Sequence, residues 1–151
     1  MNRLLPFLGA AFLAGCSLTP KIDPEWVSDE FPATSERVLW QVTRMTLEKE
    51  GFPVGAGLDP STVIATSGWR LDLAPFRGQG FREQAQVRFE RLEPGRYKVE
   101  VRVRHEINQD IVRPLDPQYA EWEPAPDRTD RAHVLLQRIK SWMGTELEFE
   151  P

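Results

Sequence analysis

The chain of 151 residues contains one cysteine and two histidines, and it has no long apolar run. One cysteine cannot form an internal disulfide, and the histidines and carboxylates show no spacing typical of a zinc or calcium site. The longest apolar run, at residues 4–12, is far shorter than the ~20 residues that cross a bilayer as a helix. We therefore expect no disulfide, no metal or other cofactor, and no membrane-spanning helix.

The chain has no excess of positive charge, since 23 acidic residues outnumber 19 basic ones and the formal net charge is −4. A net acidic protein gains no bulk electrostatic attraction to a phosphate backbone, so we expect no nucleic-acid partner. The length is typical of one domain with a hydrophobic core of its own.

The one cysteine ends a distinctive segment. Arg3 gives the start a positive charge, residues 4–12 are apolar, and the sequence Leu-Ala-Gly immediately precedes Cys16. A charged start, an apolar middle and a small-residue exit are the plan of a secretory signal peptide. Residues 13–16 resemble the lipobox of bacterial lipoproteins, a family in which the cysteine thiol is joined to a diacylglycerol and the preceding peptide is removed.

This resemblance implies that residues 1–15 are a signal peptide and that Cys16 carries the lipid that binds the membrane. More than one acyl chain is needed for stable anchoring, since each buried CH₂ contributes ~0.8 kcal/mol, and the family's mature form supplies several. In the same family, aspartate after the cysteine resembles an inner-membrane retention signal. Ser17 occupies that position here, which favours the outer membrane and a domain that faces the periplasm.

Composition divides the remaining chain into three parts. Residues 16–34 hold the lipidated cysteine and a proline-rich tether, residues 35–144 form one α+β domain, and residues 145–151 are an acidic tail. The prolines of the tether favour extended backbone. Trp26, Val27 and Phe31 are apolar enough for part of the tether to lie on the domain.

Residues 36–50 have the periodicity of an amphipathic helix. Ser35 or Thr34 is positioned to cap its N-terminus. Gly51 is placed to end the helix in a Schellman motif, in which Leu47 meets Phe52.

Residues 128–143 predict a second amphipathic helix, with Asp127 as the N-cap and Gly144 as the terminating residue.

Three segments alternate apolar and polar residues as strands do. In residues 63–73 the odd positions are mostly apolar, with Gly68 as a candidate bulge, and residues 82–91 and 97–107 repeat the pattern. Odd residues must face odd residues across the last two strands, which excludes a simple two-residue loop closed by Glu93 and Arg96. Opposite charges then select the register that pairs Arg82 with Glu106, Arg88 with Glu100, and Glu90 with Lys98.

These elements predict an α+β two-layer sandwich of one helix, three or four antiparallel strands and a second helix. Each helix has one apolar stripe, so both should cover the single apolar face of the sheet. The order is similar to the helix-grip domains of accessory lipoproteins of outer-membrane assembly. That similarity is one of architecture, and it implies no particular activity.

Two constellations are candidates for function. His105 opposes Glu83 in the selected register and would form a general-base pair, although we favour a polar pair at the end of the core. The solvent face of the sheet would present five arginines to an anionic polymer or a protein, although interleaved glutamates favour a salt-bridged, solvated face. Those arginines are Arg70, Arg82, Arg88, Arg102 and Arg104.

The connection at residues 108–126 adds Tyr119 and Trp122, which suit either a docking surface or a cap on one end of the core. We therefore expect a non-enzymatic lipoprotein that binds a protein or polymer of the cell envelope. The alternatives are a lipoprotein that holds an amphiphile between sheet and helices, near Val87, Val101 and Leu136, and a tethered hydrolase that uses His105 and Glu83.

Overall fold

The computed structural model describes residues 22–55, 63–74 and 78–146. The predicted signal peptide, Cys16, the start of the tether and residues 147–151 of the tail lie outside the described residues. The fold is α+β, with a six-stranded antiparallel sheet and two helices. Its elements are β1 Val27–Pro32, α1 Glu36–Lys49, β2 Ala65–Thr66, β3 Arg70–Asp72, β4 Phe81–Glu93, β5 Arg96–Asn108, β6 Trp122–Ala125 and α2 Thr129–Glu146.

Two long strands form the centre of the sheet, and the short strands line their outer edges. β4 and β5 pair along their whole length. β1 and β6 both pair with β5, whereas β2 and β3 both pair with β4. The sheet therefore has more strands than the sequence predicts, because β1 and β6 arise from segments interpreted as tether and connection.

The central register is the predicted one. Arg88 lies opposite Glu100, and Phe89 lies opposite Val99. The prediction about the turn was wrong, because Glu93 and Arg96 do close the hairpin. A register irregularity between Arg91 and Glu93 inserts one residue. This bulge lets a short turn coexist with odd residues facing odd residues.

Helix α1 is bounded by the predicted residues. The Ser35 side chain accepts a hydrogen bond from the backbone nitrogen of Val38. At the other end, Phe52 donates its N–H to the carbonyl of Leu47 over 2.9 Å, and Gly51 donates to Glu48 over 3.1 Å. Gly51 has a φ of 78°, so it supplies the left-handed backbone that a Schellman motif requires.

The predicted strand at residues 63–73 is divided in two, and its second half faces the other way. Ala65 opposes Val87, so an uninterrupted ladder would place Trp69 opposite Glu83. Instead Arg70 opposes Glu83. A slip of one residue exchanges the faces of a strand. The expectation that Arg70 lies on the solvent face was therefore wrong, as was the inward placement of Trp69.

A contact from outside the sheet accompanies this break. Gly68 donates its N–H to the carbonyl of Pro53 over 2.7 Å. A Cβ at Gly68 would lie 2.9 Å from the Cβ of Pro53, closer than real side chains approach. Glycine is required because the loop after α1 passes directly over the strand.

The domain begins earlier and its last helix ends later than the sequence predicts. Residues 27–32, interpreted as tether, form β1, and Phe31 is buried. Proline is compatible with this position because β1 is an edge strand. Helix α2 continues through Gly144 to Glu146, so the predicted end at Gly144 was wrong. Asp127 was also misassigned, since its carboxylate binds Arg102 and the N–H of Glu25.

One hydrophobic core contains side chains from both helices and from odd-numbered positions of β4 and β5. Val87 and Val101 are fully buried, and Leu136 is 1% exposed. Trp40 of α1 meets Phe89 of β4 edge to face, with ring centroids 5.5 Å apart. The residues that would line an amphiphile site are thus packed against one another in this core.

Candidate binding surface

Arginine side chains on the even-numbered face of β4 and β5 stack against tryptophan rings from neighbouring segments. The guanidinium of Arg82 lies 4.4 Å from the ring centroid of Trp69 and 4.7 Å from that of Trp122. Arg104 approaches the same Trp69 ring at 5.0 Å. Such contacts are attractive because the cation faces the negative side of the π system. We call this region, with Arg88, Arg102 and Trp26, the arginine–tryptophan face.

The same arrangement recurs further along the sheet. Arg88 lies 4.2 Å from the ring centroid of Trp26, which precedes β1. Its Nε also donates to Glu100 over 2.5 Å. Arg82, Arg88 and Arg104 are therefore each held from two directions, by a ring and by a carboxylate, and their orientation is fixed before any partner arrives.

Carboxylates neutralise much of this positive charge, as the salt-bridged interpretation expected. Arg82 and Arg104 both pair with Glu106, and Arg102 pairs with Asp127. The hydrogen bond from Arg88, with a further contribution from Lys98, lowers the pKa of Glu100. Four arginines and Lys98 share Glu100, Glu106 and Asp127 in these pairs, and Glu90 lies opposite Lys98, so these groups carry one positive charge in excess on a chain that is acidic overall.

The two aromatic residues predicted to dock a partner have separate positions. Trp122 is the first residue of β6, opposite Asn108, and it stacks on Arg82. It therefore belongs to the arginine–tryptophan face and is not a cap on the core. Tyr119 lies in the preceding connection, where the guanidinium of Arg113 is 3.2 Å from its ring centroid.

Sequence reasoning missed the roles of Trp26 and Trp69 in this face. Trp69 was placed inward because the slip at Gly68 was not predicted. Trp26 was recognised only as apolar enough to touch the domain. The available signal was compositional, since tryptophans in segments flanking an arginine-rich strand face are candidates for cation–π contacts.

A second polar cluster lies on the inner face, around Glu83. This carboxylate is 0% exposed. Arg70 donates to one of its oxygens over 2.6 Å, and Arg128 donates to the other over 3.2 Å. Arg128 also holds Asp130, and that hydrogen bond lowers the pKa of Asp130 to about 2.

His105 opposes Glu83 across the strands, as the register predicted. Burial lowers the pKa of His105, and the positive charge of Arg128 lowers it further. A general base oriented by Glu83 would need a carboxylate oxygen free to accept from the imidazole. Glu83 instead binds Arg70 and Arg128, and His105 has its hydrogen bond to the backbone of Pro126, so the geometry favours a structural role for the pair.

Two depressions lie at the end and edge of the sheet. One, of about 390 Å³, separates the loop before β4 from the connection after β5, and Leu73, Gly80 and Ile111 contribute to its walls. The other, of about 210 Å³, borders the arginine–tryptophan face and is lined by Ile22, Arg102, Arg104 and Pro124, among others. The smaller volume suits a partner's side chain better than a drug-sized ligand, which occupies roughly 300–1,000 Å³.

Within residues 22–55, 63–74 and 78–146, no group of three histidine, cysteine, aspartate or glutamate side chains is placed to hold a metal ion. Neither helix described by the structure has the length and apolarity needed to cross a bilayer.

Comparison with known proteins leaves the chain without an assigned family. No protein-family model matches it, and a search of the curated proteins found no match.

Proposed function

We propose that this protein is a lipoprotein, anchored through Cys16, that acts as a binding or scaffold module in the cell envelope. In this proposal the domain faces the periplasm from the outer membrane and carries out no catalysis of its own. The segment ending in Leu-Ala-Gly before Cys16 supports the anchor. Ser17 supports the outer membrane, because the retention signal would place aspartate there.

The proposed architecture is a two-layer sandwich in which both helices cover one face of the sheet. Helix α1 contacts β4 and α2, and α2 contacts β5 and β1. The side chains at the centre of these contacts, including Leu135 and Val101, share one core. This arrangement leaves the opposite face, which carries the arginines, uncovered by either helix.

The observation that carries the proposal is the arginine–tryptophan face. Arginine and tryptophan are enriched among residues that dominate binding energy, because they combine large contact area with directional hydrogen bonds. Arg82 is held between two indole rings and a carboxylate, so little side-chain entropy remains to be lost on binding. The positive excess fits a partner that presents carboxylates or other anionic groups.

The partner is accordingly a protein or an anionic polymer of the envelope, within the distance from the membrane that the chain after Cys16 allows. Crosslinking in cells, followed by purification of the chain, tests this directly. The intact chain should yield a defined set of crosslinked products that the Cys16→Ala chain loses. If the Cys16→Ala chain remains folded and keeps the same products at the same yield, anchoring is not required and the proposal is wrong.

A further inference from the structure

The connection between β5 and β6 exposes three large aliphatic side chains within five consecutive residues. Ile111 is 84% exposed, Val112 is 81% exposed and Leu115 is 65% exposed. Isolated exposed apolar residues are common on protein surfaces, but contiguous ones mark a surface that something covers. We call residues 109–121 the apolar loop.

Hydrogen bonds hold the base of this loop in one conformation. Gln109 donates its N–H to the carbonyl of Glu121 over 2.8 Å. The Asn108 side chain accepts from the N–H groups of Asp110 and Glu121, both over 3.0 Å, and it donates to the carbonyl of Pro114.

A second set of bonds shapes the tip. The Asp110 carboxylate accepts from the backbone nitrogens of Val112 and Arg113 over 2.7 and 2.9 Å. These bonds lower the pKa of Asp110, with the bond from Arg113 contributing most. Ile111 and Val112 are thus presented by an ordered turn, and ordering them on binding costs little.

The loop lies at the end of the sheet from which the N-terminal chain arrives. β1 runs antiparallel to β5, with Val27 opposite Val101 and Pro32 opposite Arg96. The residues that precede β1 therefore lie toward the C-terminal end of β5. Ile22 lines the edge depression beside Glu106 and Pro124. Asn108, where the loop begins, is only two residues further along β5, which corresponds to ~7 Å.

Chain length then limits how far the membrane can be from this loop. Cys16 precedes Ile22 by six residues, and six residues span at most ~20 Å when fully extended. An anchor at Cys16 would hold the bilayer surface within that distance of Ile22, at the end of the sheet where Ile111 and Val112 point into solvent.

We propose that the apolar loop seats its aliphatic tip in the surface of the bilayer that holds the lipid anchor. This proposal rests on the anchor proposed for Cys16. Arg113 lies over Tyr119 beside the tip, and such amphipathic side chains suit the boundary between headgroups and acyl chains. The domain would then be oriented on the membrane, with one end of its sheet against the lipid and the arginine–tryptophan face turned sideways toward its partner.

A lipid surface suits the apolar loop better than a protein partner does. Three aliphatic side chains make too small an interface for a stable protein complex, which buries roughly 1,200 Å² or more. A tether converts a weak contact into an intramolecular one with high effective concentration. The loop also carries Asp110, Asp116 and Glu121 against one arginine, so apolar insertion rather than attraction to anionic lipid is expected to drive the contact.

The test uses the fact that Cys16 is the only cysteine. In the lipidated protein its thiol is consumed, so Val112→Cys adds one thiol for an environment-sensitive fluorophore. The matched control is Val63→Cys, since Val63 is 87% exposed and lies before β2, away from the loop. Both labelled proteins are reconstituted into phosphatidylcholine vesicles with and without spin-labelled lipid.

We expect the emission at residue 112 to shift to shorter wavelength and to be quenched by the spin-labelled lipid. The emission at residue 63 should remain that of a probe in water. The proposal is overturned if the emission of the two probes reports the same exposure to water. It is also overturned if residue 112 becomes dry only when envelope proteins are added, because the loop would then bind a protein.

A second arm separates this proposal from the anchor itself. A chain that starts at Ser17 carries Val112→Cys, and a histidine tag on nickel-chelating lipid replaces the anchor. Insertion of residue 112 in this arm supports the loop proposal regardless of what Cys16 carries, and a wet probe here overturns it. The mass of the mature protein from cells reports separately whether Cys16 is lipidated.

Discussion

Arg70 donates a 2.6 Å hydrogen bond to Glu83, a carboxylate with no exposed surface on the inner face of the sheet. Arg128, at the start of α2, donates to the other oxygen. Glu83 on β4 therefore binds β3 through Arg70 and the start of the last helix through Arg128. A buried charge of this kind is stable only while its partners remain, because desolvation of an unpaired ion is expensive.

Glu83→Gln should be strongly destabilising. The substitution keeps the shape of the side chain but removes the buried anion that Arg70 and Arg128 share, and Arg128 retains only Asp130. Removing one partner of a buried ion pair typically costs about 3–5 kcal/mol, and we expect a loss toward the lower end because both arginines retain some contact with water. Denaturant unfolding monitored by circular dichroism measures the change.

Glu90→Gln is the matched control, since Glu90 lies on the same strand but is exposed. Exposed substitutions usually change stability by less than about 0.5 kcal/mol. Equal effects of the two substitutions would contradict the structural role given to Glu83.

Gly51→Ala should destabilise the domain by about 1 kcal/mol, because the positive φ at the end of α1 disfavours any side chain. Gly55→Ala provides the comparison within the same loop, since Gly55 has no positive φ and a Cβ there would meet nothing within 4 Å. Thermal unfolding of both variants measures the two changes in stability. A Gly55→Ala chain that loses as much stability as Gly51→Ala would show that the Schellman motif is not what matters.

Stability should fall as pH decreases through the range in which histidine titrates, and His105 should account for part of that fall. Its pKa in the folded state lies below the ordinary 6.5 because of burial and Arg128. The unfolded chain therefore binds a proton at higher pH than the folded chain does, and folding becomes less favourable as pH drops below about 6.5.

His105→Gln should remove this contribution and reduce the slope of the free energy of unfolding between about pH 7 and pH 5. Between pH 7 and pH 8 the free energies of unfolding of the two chains should differ by a constant amount. An unchanged slope in the acidic range would mean that His105 titrates alike in the folded and unfolded chains.

Local rules predicted the pairing of the two central strands and the first helix well, although not the turn between those strands. The register of β4 and β5 follows from two constraints that the sequence carries by itself: apolar residues on one face, and opposite charges such as Arg88 and Glu100 across from each other. Ser35, Leu47, Gly51 and Phe52 likewise form their caps with near neighbours.

The features that escaped prediction depend on distant parts of the chain. The slip that turns Arg70 inward accompanies a contact between Gly68 and Pro53 that strand periodicity does not encode. β1 was missed because its proline, Pro32, argues against a strand, yet proline is tolerated at an edge. Helix α2 passes through Gly144 because the apolar stripe that includes Met143 is buried in the core, and packing outweighs the weak helix propensity of glycine.

The arginine–tryptophan face was predicted only in part, for the same reason. Arg82, Arg88, Arg102 and Arg104 follow from strand alternation. The rings that stack on three of them come from Trp26, Trp69 and Trp122, which lie in segments whose positions depend on the pairing of edge strands. The orientation of this face, and hence the candidate site, became visible only with the complete sheet.

The most direct test of the account places a photocrosslinking amino acid at Gln86 or at Gln137 in the full-length chain in cells. Gln86 lies on the same face as Arg88 and Arg102, opposite Arg102 in the register, whereas Gln137 is exposed on α2. We predict a discrete crosslinked product from residue 86 that is absent from residue 137 and is lost in the Cys16→Ala chain. Products from residue 137 alone, or equal products from both positions, would contradict the assignment of the arginine–tryptophan face as the binding surface.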